Sequence, residues 1–130
     1  MMWFYKKKGF TLLELMIVVI IVGILASLAI PRFIGARNRA IKAEAYNMLG
    51  AIRSSQMRYY LEYDNDYYAS GADIAALDIE STTSEYYTYV GADGNPPTTY
   101  IGGAESADTS LVPNMGIEVD GTITEGVTVW

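Results

Sequence analysis

Sixteen consecutive residues, 15–30 (LMIVVIIVGILASLAI), carry no charge. With residues 10–14 and Pro31 included, the stretch runs to 22 residues with one charge, Glu14. As a helix, residues 10–31 would span about 33 Å at ~1.5 Å per residue, close to the hydrocarbon thickness of a bilayer. Lys6, Lys7 and Lys8 come directly before it. The positive-inside bias therefore places the N-terminus in the cytoplasm and the remainder of the chain outside.

The rest of the chain is segregated by charge. Residues 32–58 hold six basic groups (Arg32, Arg37, Arg39, Lys42, Arg53, Arg58) against Glu44 alone. Residues 59–130 hold thirteen acids and no Lys or Arg. The formal net charge of −6 thus averages a basic segment and a strongly acidic one. An acidic chain of this kind is not expected to bind nucleic acid, which selects a basic surface. There is no cysteine and no histidine. Disulfides, thiol nucleophiles, thiolate metal sites and the usual neutral-pH general base are all excluded. No phosphate loop, nucleophile elbow or paired-carboxylate pattern is present, so the chain reads as a non-enzyme.

Three explanations of the apolar segment compete. A cleaved secretory signal would use small residues such as Ala26-Ser27-Leu28-Ala29, but Ile30-Pro31 follows them directly. A simple membrane anchor carrying an extracellular binding module gives no reason for Glu14. A charge within a bilayer costs about 2.5–3.5 kcal/mol even on the lenient insertion scale and marks a functional candidate. The third explanation uses all these features together.

Residues 6–31 read KKKGFTLLELMIVVIIVGILASLAIP. This closely resembles the start of type IV prepilins and of the related type II secretion pseudopilins. The resemblance rests on the basic leader ending in Gly9, then Phe10, Thr11, Leu12, Glu14, the aliphatic run, Gly23 and Pro31. It implies the pilin fold, a long helix packed on a small antiparallel sheet. It also implies cleavage between Gly9 and Phe10 by a membrane-embedded prepilin peptidase, with methylation of the new Phe10 amine, leaving 121 residues. Lys6, Lys7 and Lys8 would serve leader recognition or orientation at the anionic cytoplasmic face. Trp3, Phe4 and Tyr5 fit interfacial anchors of the leader. Glu14 is expected to pair with the Phe10 amine of a neighbouring copy, because two groups costly to bury apart become tolerable together. Gly23, a poor helix former, and Pro31, which cannot donate to Ser27, bracket a stretch expected to loosen in filaments.

Beyond Pro31 the helix is expected to continue. Ile41, Ala45, Met48, Ile52, Ser55, Tyr59 and Tyr63 recur at helical spacing and predict a stripe that packs on a sheet. The turn-forming Asp64-Asn65-Asp66 predicts the end. A helix from Phe10 to there would be about 80 Å long, too long for the inside of a 130-residue globule. Four segments follow: leader 1–9, membrane and assembly helix 10–31, amphipathic continuation 32–66, and an acidic α+β head 67–130. In the head, residues 72–78 predict a helical turn, 85–90 a strand, 91–110 a long loop, and 115–119 with 122–130 a hairpin about Asp120-Gly121. Ile117, Val119, Ile123, Val127 and Val129 are expected to face the stripe. The many tyrosines read as core and half-buried packing rather than an adhesive or conductive array.

Asp93, Asn95, Glu105 and Asp108 are weak calcium candidates, since carboxylates and carbonyls in a loop suit that ion without forming a specific motif. No other cofactor is expected. The expected partners are further copies of the chain, the peptidase, a pilus assembly machinery and inner-membrane lipid. The expected course is a single-pass precursor with its N-terminus inside, then an extracellular filament.

Overall fold

A computed structural model describes residues 9–68, 74–79, 83–94 and 97–129. The chain divides into two units, residues 1–37 and 38–130. One helix, α1 (Leu12–Glu62), belongs to both and runs unbroken through Pro31.

In the first unit every large apolar side chain from Leu12 to Ile34 is exposed, by 49% to 85%. Burying one such side chain is worth about 1.5–3 kcal/mol. A run of this length therefore needs lipid or protein around it. The helix is long and apolar enough to cross a membrane.

The second unit is an α+β head. Strands β1 (Tyr87–Val90), β2 (Gly102–Ser106), β3 (Met115–Ile117) and β4 (Ile123–Glu125) form an antiparallel sheet in the order β1-β2-β3-β4. Tyr87 pairs with Ser106, Gly102 with Ile117 and Ile117 with Ile123. A short 3-10 turn, Ala75–Leu77, precedes the sheet. The core joins Ile41, Ala45, Leu49 and Ile52 of α1 to Ile74, Leu77, Tyr87, Tyr89, Ile101, Ala104, Val112, Met115 and Ile117. Burial pushes the hydroxyls of Tyr87 and Tyr89 up to about 12, with neighbouring charge adding to it. That environment fits the packing role expected of the tyrosines.

Several details differ from the sequence expectation. The stretch expected to be a loop, 91–110, contains β2. Its signal is hidden because Gly102, Gly103 and Ala104 lack the β-branched and aromatic side chains that usually mark strands. Small residues are required there: a Cβ on Gly102 would lie 2.5 Å from Cγ2 of Ile52, so the sheet meets the helix closely at this point. The same holds at Gly116, where an added Cβ would meet the Tyr100 ring at 2.7 Å. The buried stripe includes Leu49 and Gln56, and Tyr63 lies outside it, 52% exposed. Tyr63 instead stacks on Tyr59, with ring centroids 4.3 Å apart. The predicted hairpin forms with shorter strands. Val119 sits in its exposed turn rather than packed against the helix, and its carbonyl accepts from Arg53.

Gln56 repairs a difficulty that this packing creates. It is fully buried. Its Nε2 donates to the carbonyls of Tyr68 and Ile101 at 3.0 and 2.9 Å, and its Oε1 accepts from the Tyr68 amide at 2.9 Å. Three backbone groups, one buried and two part-buried, are thereby bonded by one side chain.

Candidate processing and assembly site

The site is built at the start of α1. Gly9 and Phe10 are exposed and precede the first helical residue, Leu12. Phe10 is 85% exposed. The bond between them stands clear of the protein, and Gly9 has nothing within 4 Å of where a Cβ would be. Lys6, Lys7 and Lys8 lie outside the described residues.

Thr11 and Glu14 close a reciprocal capping box. The Thr11 amide donates to Glu14 Oε2 at 2.9 Å, and the Thr11 hydroxyl donates to the same oxygen at 2.8 Å. The Glu14 amide donates back to Thr11 Oγ1 at 3.2 Å. This is the Ser/Thr-x-x-Glu start signal, which satisfies two N–H groups that the helix cannot pair itself. Glu14 also lies in the first turn, where the helix dipole favours an anion. Its carboxylate, the only acid of the apolar stretch, thus lies four residues beyond Phe10. The spacing of Thr11 and Glu14 made this box readable in the sequence, and Thr11 is the residue that the sequence reading did not single out for a role of its own.

Gly23 lies in mid-helix with open space where a side chain would stand. Pro31 lies inside the helix, where it leaves the Ser27 carbonyl without its usual amide donor. The Ser27 hydroxyl donates to the Ile24 carbonyl at 2.7 Å, a local bond of the kind that bends helices.

The calcium candidates are placed in the head. Asp93 already accepts from the Thr98 amide and hydroxyl and from the amides of Thr99 and Tyr100, at 2.6–3.2 Å. Burial pushes its carboxyl up, and the bonds from Thr98, Tyr100 and Thr99 outweigh this and hold it below the usual range. Asp108 accepts from the amide and hydroxyl of Ser110. Glu105 is exposed on β2, and Asn95 lies outside the described residues. Among the described residues, no three acidic groups gather in a metal-holding cluster.

Comparison with known proteins points the same way as this geometry. Residues 5–30 match the family model described as the prokaryotic N-terminal methylation motif. The chain is similar to type II secretion system core protein G of Pectobacterium carotovorum subsp. carotovorum, 33% identical over 90 residues, 69% of this chain and 57% of that protein. It is similar to the type IV major pilin PilA of Myxococcus xanthus, 48% identical over 59 residues, 45% of this chain and 27% of that one. It is also similar to fimbrial protein EcpC of Eikenella corrodens, 40% identical over 81 residues, 62% of this chain and 50% of that one. The chain spans about half the length, or less, of these curated relatives. No solved structure matches it. The methylation motif at its start, a long apolar helix, an α+β head and relatives of both kinds support a place for the chain in the family of type IV pilins and type II secretion pseudopilins.

Proposed function

We propose that this chain is the structural subunit of a type IV pilus-like surface filament. It is made as a precursor, held in the inner membrane with its N-terminus inside, and cut after Gly9 by a prepilin peptidase. It is methylated at Phe10 and then polymerised by a pilus assembly machinery through helix α1. The role is one of packing and asks for no catalysis from the chain. The observation that carries the reading is the exposed apolar half of α1 directly following the processing motif. Lipid can solvate that surface before assembly, and other copies can solvate it afterwards. On assembly, Glu14 exchanges its Thr11 partners for the Phe10 amine of a neighbour, which neutralises both charges and sets the axial register.

The test is Glu14→Gln in cells that process the chain. The leader is expected to be removed and Phe10 methylated as in the parent, with surface filaments strongly reduced. Normal filament yield from this variant would overturn the role given to Glu14.

The 90-residue match to a type II secretion core protein G favours a second reading, in which the short filament serves an export apparatus. Filaments formed in a strain without such an apparatus would support the pilus reading, and their dependence on one would support the second.

A further inference from the structure

Hairpin β3–β4 is held to the helix by side chains from one flank of α1. Lys42 Nζ donates to Glu125 Oε2 at 2.6 Å, and the Tyr46 hydroxyl donates to Glu125 Oε1 at 2.6 Å. Eleven residues along from Lys42, Arg53 Nε donates to the Val119 carbonyl at 2.9 Å. Positions 42, 46 and 53 share one side of a 3.6-residue helix, beside the buried stripe. The hairpin is therefore gripped at both ends, at its turn by Arg53 and at the end of β4 by Lys42 and Tyr46.

The turn is shaped for this grip. Gly121 has a φ of 98°, a conformation that side chains disfavour. A Cβ there would meet the Arg53 guanidinium at 3.4 Å. The Gly121 amide donates to the Glu118 carbonyl, the Glu118 amide to the Thr122 carbonyl, and the Gly126 amide to the Asn114 carbonyl. Apolar anchorage of β4 is slight by comparison. It is an edge strand of three residues whose only apolar side chain, Ile123, is half-buried. Strands β1, β2 and β3, in contrast, contribute Tyr87, Tyr89, Ala104, Met115 and Ile117 to the closed core. Short strand pairs without a large apolar face are marginal, so polar ties weigh more in β4 than elsewhere in the sheet.

We propose that Lys42, Tyr46 and Arg53 form a polar clasp on the turn and outer strand of hairpin β3–β4, and that β4 parts from β3, ahead of the rest of the head, when Glu125 is protonated. Among the described residues, Glu125 alone joins the end of β4 to both Lys42 and Tyr46. The hydrogen bond from Lys42, then that from Tyr46, hold its carboxyl below the usual range. A carboxyl lowered in the folded state stabilises above its unfolded value, about 4.3, and that contribution is lost as pH falls through the folded value. The other charged or titratable groups facing the clasp are Glu44 on α1, Tyr87 on β1, and Asp120 in the turn beside Arg53.

The experiment is amide hydrogen exchange on the full chain in detergent micelles, compared as protection factors from neutral pH down to about pH 3, below the usual carboxylate range. Glu125→Gln is expected to lower protection across residues 122–126 about five-fold or more at neutral pH, with residues 87–106 unchanged. It is also expected to abolish the additional loss at the acid end. Lys42→Met should reproduce the neutral-pH effect and provides the reading if Glu125→Gln does not fold. Unchanged protection of 122–126 in both variants would overturn the proposal, as would an equal loss throughout the sheet. Acid opening that persists in Glu125→Gln and disappears in Asp120→Asn would place the switch in the turn and also overturn it.

Discussion

The two stretches of α1, residues 12–37 and 38–62, share one backbone and differ in what surrounds them. The first presents aliphatic side chains on every face and none is buried. The second keeps a stripe of Ile41, Ala45, Leu49, Ile52, Ser55 and Gln56 buried under the sheet, with its cations to the side. A helix apolar all round needs an apolar surrounding, and an amphipathic one needs a single packed face. The stability of the head therefore rests on contacts within one chain, while the first stretch acts only through lipid or other copies.

That comparison breaks most visibly with a charge at the centre of the first stretch. Ile20→Lys costs about 2.5–3.5 kcal/mol of membrane insertion. It should remove the membrane-held precursor and all filaments, measured by cell fractionation and microscopy. The thermal unfolding of the head in detergent should not change. Ile52→Ala should do the reverse, lowering head stability by about 2–5 kcal/mol in denaturant titration. Gln56→Ala takes their side-chain partner from the Tyr68 amide and the Ile101 carbonyl, and should cost about 1–3 kcal/mol by the same titration. Gly102→Ala forces Ile52 aside, with an expected loss of about 1–3 kcal/mol and a lowered melting temperature.

The smallest effect concerns pH. The Asp93 carboxyl is held low in the folded head, so its bonds from Thr98, Thr99 and Tyr100 are at full strength above its unfolded value, about 3.9. It should loosen as pH falls through the folded value. Exchange at Thr98, Thr99 and Tyr100 should report this, and Asp93→Asn should remove the dependence.

The long helix and the processing motif were legible because each is written in consecutive residues: a charge-free run, a lysine cluster, and Gly9-Phe10 before Glu14. The buried stripe was legible in period and misread in width, since Leu49 and Gln56 lie on the same face as the residues counted. Strand β2 was not legible. Its Gly102 is required by the approach of Ile52, a partner about 50 residues away in sequence, and nothing local announces such a contact. The capping box was written in the spacing of Thr11 and Glu14. Its geometry shows that Glu14 has partners within its own helix, which a reading aimed at neighbouring copies passes over. The clasp on Glu125 was out of reach, since Lys42 and Glu125 are 83 residues apart.

The central claim is that a cut precursor becomes a filament through its first helix. Mass spectrometry of filaments sheared from the cell surface tests it most directly. The account predicts this chain as the main component, beginning at a methylated Phe10. A surface form that keeps residues 1–9, or filaments without this chain from cells that produce it, would contradict the account.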